Sequence, residues 1–188
     1  MDSRMPSIPQ DRSIRRLSRF LALATLAGMV LVPLFGLGVW FLPGLANALG
    51  ELPGSRWVGN GQNDWFVFQI RLGAAGISMI GIGLTLYGLF GVRRLFLEGA
   101  EGQYFSEASV GGFRQFALAS LVGAIWAPFE TTVFSVYLSV ANPHTRNAVE
   151  ISLGSDTIES IGTALLLFLM AHILAEGRRR HEELELIL

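Results

Sequence analysis

Four long apolar runs divide this 188-residue chain, and the third, Phe116 to Val140, constrains the fold most because it carries Glu130 in the stretch Trp126-Ala127-Pro128-Phe129-Glu130. About 20 apolar residues suffice to carry a helix across the hydrocarbon of a bilayer. Without water to hydrogen-bond the backbone, such a segment must satisfy its own N–H and C=O groups, which makes it helical. A charged side chain at the centre of such a helix costs roughly 2.5–3.5 kcal/mol. Some other part of the protein must therefore answer Glu130, and that requirement orients the remaining helices.

The composition agrees with a membrane chain. Hydrophobic residues make up 51% and charged residues 15%, where soluble domains carry roughly 25% charged residues. The chain has no Cys, which excludes disulfides, thiolate metal sites and Cys nucleophiles. All 14 basic residues are Arg.

Residues 1–16 are polar, with Pro6, Pro9 and four Arg, and read as a disordered cytoplasmic arm. Residues 17–188 then form one transmembrane domain. Its first run, Leu17 to Leu42, is too long for the apolar region of a signal peptide, despite the small residues Ala46 and Ala48 beyond it. Pro33 should kink that helix. Trp40, Trp57 and Trp65 bracket the following loop, as expected where amphipathic rings meet a membrane–water interface.

The second run, Trp65 to Leu89, is rich in glycine. At 100° per residue, Gly73, Gly76, Gly81, Gly83, Gly88 and Gly91 fall within an arc of roughly 160°. Such a smooth face lets another helix approach closely. Arg71, Ser78 and Thr85 form a polar stripe on the opposite side, and both faces are expected to touch protein. Gly99 and Gly102 interrupt the chain beyond Arg93 and Arg94. Ser106 is a good N-cap, and Phe105 with Val110 has the spacing of a hydrophobic staple, so the third helix should start near Glu107. Within it, Ser120, Gly123, Ala124, Ala127, Glu130 and Thr131 share one side, which turns Glu130 toward a neighbouring helix. Pro128 leaves the carbonyl of Ala124 without its usual donor. The fourth helix should open at Gly154 or Ser155 with Asp156 and Glu159 in its first turn, where carboxylates suit the helix dipole. Glu182 and Glu183 lie four residues after Arg178 and Arg179, a spacing that supports helix beyond the membrane.

The expected architecture is an all-α four-helix transmembrane bundle with helices near 17–42, 65–97, 107–140 and 157–180. Orientation follows from the arginines. The arm to Arg19 has five, the 91–115 segment three and the tail three, eleven in all, against Arg56 and Arg146 in the two other loops. By the positive-inside rule both termini are cytoplasmic.

Two segments resemble a bacterial four-helix membrane family known as domain of unknown function 2975. One is Glu98-Gly99-Ala100-Glu101-Gly102-Gln103-Tyr104-Phe105-Ser106-Glu107-Ala108, similar to the family's Gly-x-x-Phe-Ser loop before the third helix. The other runs from Ala171-His172-Ile173 to Glu185-Leu186-Ile187, similar to its acidic, apolar-ending tail. The family has no established activity, so the resemblance implies a fold and a bacterial cytoplasmic-membrane location but brings no site residues.

No catalytic motif is visible, and no cofactor or metal is expected. His144, His172 and His181 are spread over an outer loop, a helix end and a tail, too dispersed for one metal. The Arg-rich ends suit topology and anionic lipid better than direct nucleic-acid binding. The candidate site is an intramembrane cluster of Arg71, Glu130 and Glu159. A structural ion pair between Arg71 and Glu130 is the preferred reading, and a proton or cation path is the sharper alternative. The expected function is non-enzymatic: an accessory or regulatory membrane protein acting through its helices or cytoplasmic loops on a membrane or cytoplasmic regulatory partner. The alternative is a transporter or channel subunit using Glu130. Whether the chain forms a homo-oligomer is left open.

Overall fold

A computed structural model describes residues 9–42, 64–103, 106–141 and 155–185. These form four helices, α1 (Pro9–Phe41), α2 (Asp64–Glu101), α3 (Glu107–Ala141) and α4 (Ser155–Glu185). Each is long and apolar enough to cross a membrane, and a chain with four such helices is a multi-pass membrane protein. Large apolar side chains such as Phe20, Leu34, Met79, Val140, Ile158 and Leu166 are exposed on the helix surfaces, where lipid would cover them.

Packing follows chain order, α1 on α2, α2 on α3 and α3 on α4. The helices alternate in direction. Trp40 near the end of α1 reaches Ser78 of α2, and its ring stacks on Phe134 of α3 at 5.3 Å. The main apolar core lies at this level, where Trp40, Ala74, Ala75 and Phe134 are packed by Leu37, Ile77 and Tyr137. At the other end, Gly91 of α2 meets Gly112 of α3 backbone to backbone. The fourth helix is attached by a narrow seam. Thr157, Ile161, Ala164, Leu167, Ala171, Ala175 and Arg178 are its covered positions, at three- and four-residue steps, and most of the rest of the helix is exposed.

Helix α1 begins at Pro9, so residues 9–16, expected to be disordered, are helical. Pro is well suited to the first helical turn, Gln and Arg are good helix formers, and extending an existing helix avoids the cost of nucleation. Both Pro33 and Pro128 lie inside continuous helices. Around Pro128 the hydroxyls of Thr131 and Thr132 donate to the carbonyls of Ala127 and Pro128, at 3.2 and 2.9 Å.

The turn between α2 and α3 is built by two adjoining caps. Gly99 stays within α2, and the break falls on Gly102, whose φ is +86°. Gln103 N–H donates to the Glu98 carbonyl at 3.0 Å and Gly102 N–H to that of Gly99 at 3.2 Å. This double bond pattern closes a helix with a left-handed residue, which favours glycine. Ser106 then caps α3 as expected, its Oγ accepting from Ser109 N–H at 3.0 Å and donating to Glu98 Oε2 at 2.7 Å. The Phe105 half of the expected staple, the loop with Trp57, the loop with His144 and the last three residues lie outside the described residues.

Candidate functional site

The glycine face of α2 divides in two. A side chain added at Gly73 would fall on the Tyr137 ring, whose hydroxyl donates to the Gln69 and Ile70 carbonyls at 3.3 and 3.4 Å. A Cβ at Gly88 would stand 3.1 Å from Ala119, and one at Gly81 would stand 3.0 Å from Glu130 Oε2. Gly76 and Gly83, expected in the same contact, would meet nothing within 4 Å. The reason is angular. Gly73, Gly81, Gly88 and Gly91 cover about 80° of the helix, and Gly76 and Gly83 lie about 60–80° beyond them on the far side. An arc of that full width exceeds one helix–helix seam.

Gly81 thus makes room for the Glu130 carboxylate. Glu130 lines a cavity of about 590 Å³ between α1, α2 and α3, walled by Trp40, Phe116, Trp126 and Phe134 and by the hydroxyls of Ser78, Thr85, Ser120 and Thr131. Trp40 is held there by donating Nε1–H to Ser78 Oγ at 3.2 Å. Trp126 stands one turn before Glu130 with its indole N–H toward the carboxylate but outside hydrogen-bonding geometry, so this buried donor has no partner among the described residues. A second cavity of about 640 Å³ lies between α3 and α4 and contains Glu159, Thr157, Ser160 and Thr163. Ser120, Gly123 and Ala127 wall both cavities. The two carboxylates therefore stand on either side of α3. No basic side chain lines either cavity among the described residues.

Arg71 does not join them. Among the described residues no ion pair or hydrogen bond links it to Glu130 or Glu159, and it lines neither cavity. The helix register explains this. Glu130 lies against Gly81, so Arg71 is ten residues, about 15 Å, farther along α2. Glu130 stands opposite Gly81, near the midpoint of α2, in a cavity that runs from Trp40 near the end of α1 to Phe116 on α3.

Of the residues gathered here, Phe116, Phe134, Tyr137 and Gln115 had no prominence in the sequence. Gln115 Nε2 donates to the Tyr87 carbonyl at 2.8 Å, another α2–α3 tie. For Trp126 and Phe134 a signal existed, because they stand four residues before and after Glu130 on one helix face. Among the described residues no group of three metal-ligating side chains occurs.

A second set of contacts surrounds the α2–α3 turn. Arg15 of α1 packs against Gly102. Arg178 of α4 approaches Glu107 of α3 at 4.0 Å, with the Glu107 side chain almost fully exposed. Both helix ends flanking the turn are thus contacted by outer helices, and within α4 Arg180 pairs with Glu176 one turn earlier at 3.2 Å.

Residues 44–188 match the family described as "Protein of unknown function (DUF2975)". No curated protein and no solved structure matches the chain. The chain belongs to that family.

Proposed function

We propose that this member of the family is a small accessory or regulatory protein of the bacterial cytoplasmic membrane, without catalysis of its own, that acts by contact with a partner protein at the α2–α3 turn. The observation that carries the reading is the convergence of three chain segments there: Arg15 against Gly102, Arg178 beside Glu107, and Glu98 bonded to Ser106. Around this turn, capped at both ends and touched by both outer helices, Glu101, Gln103 and Glu107 are exposed. The arginine asymmetry puts this surface in the cytoplasm with both termini. Site-specific photocrosslinking from Gln103 in cells should give one discrete protein adduct, absent from a probe at the exposed Leu165. Identical patterns from both positions would remove the support for a partner surface.

A second reading, a transporter or channel subunit, is favoured by one observation: Glu130 lines a cavity without a basic partner. Intramembrane carboxylates commonly mark ion paths. Proteoliposome flux of protons or monovalent cations that is lost in Glu130→Gln would support it, and absence of flux from the wild-type chain would count against it.

A further inference from the structure

We propose that the cavity between α1, α2 and α3 binds a bulky organic cation, of the quaternary ammonium or phosphonium class, through Glu130 and the surrounding aromatic rings. The argument starts from what the cavity lacks. Its lining offers one carboxylate and no basic group among the described residues, so an anionic occupant would be repelled. An apolar lipid chain would fill the volume but leave the carboxylate without a counter-charge, and burial of an uncompensated charge is costly. A divalent metal takes six or more hard oxygen ligands, or at least a few carboxylates with bound waters. One carboxylate and scattered hydroxyls do not supply that set.

A large, weakly hydrated cation meets each condition. The volume of about 590 Å³ lies within the range of small-molecule sites, roughly 300–1,000 Å³. Trp40, Trp126 and Phe134 supply three aromatic walls at the Glu130 end of the cavity, and aromatic cages recognise quaternary cations through the negative faces of their rings. The walls are braced in advance: Trp40 is fixed by Ser78 and by stacking on Phe134. Gly81 leaves the carboxylate unobstructed on the α2 side. This proposal concerns equilibrium occupancy and stands apart from both functional readings above, since it requires neither flux nor a protein partner.

The test is equilibrium binding of tetraphenylphosphonium to the purified full chain in lipid nanodiscs. Saturable binding near one per chain is expected, weakened at least about tenfold in Glu130→Gln and unchanged in Gly83→Leu, which lies in open space. Neutral triphenylphosphine oxide should compete poorly. Because Glu130→Gln could misfold, a second measurement uses the wild-type chain alone. Dicyclohexylcarbodiimide should label Glu130, and tetraphenylphosphonium should slow that labelling several-fold while leaving Glu107 labelling unaltered, as read by peptide mass. The proposal is overturned if binding is not saturable, if folded Glu130→Gln binds as tightly as wild type, if the neutral oxide competes equally, or if the cation leaves Glu130 labelling unaltered.

Discussion

Replacing Gly91 by alanine probes a backbone-to-backbone approach of α2 and α3. A Cβ at this position would overlap the Gly112 carbonyl and stand 3.0 Å from Gln115 Cβ and 3.1 Å from Phe116 N. Two of these three neighbours are backbone atoms, so no rotamer change relieves the contact and α2 must move away from α3. Overpacking of this kind costs about 1–3 kcal/mol. Alanine also favours helix over glycine by about 0.8–1.0 kcal/mol, which would partly mask the loss. Gly83→Ala supplies the reference, because that site would meet nothing within 4 Å and gains the same propensity. In the difference between the two variants the propensity gain cancels, leaving the steric cost of about 1–3 kcal/mol. Reversible unfolding in mixed micelles, titrated with dodecyl sulfate and followed by far-ultraviolet circular dichroism, measures that difference. Coincident unfolding curves for Gly91→Ala and Gly83→Ala would refute the close crossing of α2 and α3.

Gly102→Ala should lower stability by about 1–2 kcal/mol, since its left-handed φ is strained with a Cβ, and the same titration reads the loss. Ser106→Ala removes the α3 cap and should cost about 0.5–2 kcal/mol; prior removal of Glu98 should shrink that cost, as a double-mutant cycle would show. Arg71→Gln and Glu130→Gln should have additive effects, because groups some 15 Å apart with no shared partner do not couple; a rescuing double mutant would restore the ion-pair reading. Single Cys residues at Asn60 and Asn147 should react with an impermeant maleimide added outside intact cells, and protection of either would refute the proposed orientation.

The helices were legible because their signals are local. Run length located four spans, Ser106 located the start of α3, and the terminal carboxylates and arginines agreed with a fourth helix extending beyond its apolar part. Contacts between helices were less legible. In lipid an outward Leu and an inward Leu have equally apolar surroundings, so periodicity does not say which face meets protein. Gly76 and Gly83 therefore share the glycine arc of Gly73, Gly81 and Gly88 without sharing their contacts. Register was also obscured by its choice of origin. Measured from the tight turn, Arg71 is 30 residues from Glu101, and Glu130 is 23 residues from Glu107. The difference of seven residues already amounts to about 10 Å, too far for a close pair without bending, and the actual packing widens it further.

The same register accounts for a carboxylate in a membrane helix without an arginine. Glu130 faces Gly81, near the midpoint of α2, and Arg71 lies ten residues farther along that helix, about 15 Å away. Glu130 shares its cavity with Trp40, one residue from the end of α1, and the neighbouring cavity reaches the first turn of α4. A paired Arg71 would have neutralised the acid and filled the space. Register withholds that partner, Gly81 keeps the α2 wall bare, and the aromatic rings keep the cavity shaped. A carboxylate left in this setting is available to an occupant from outside the chain, which makes Glu130→Gln more informative about binding than about folding.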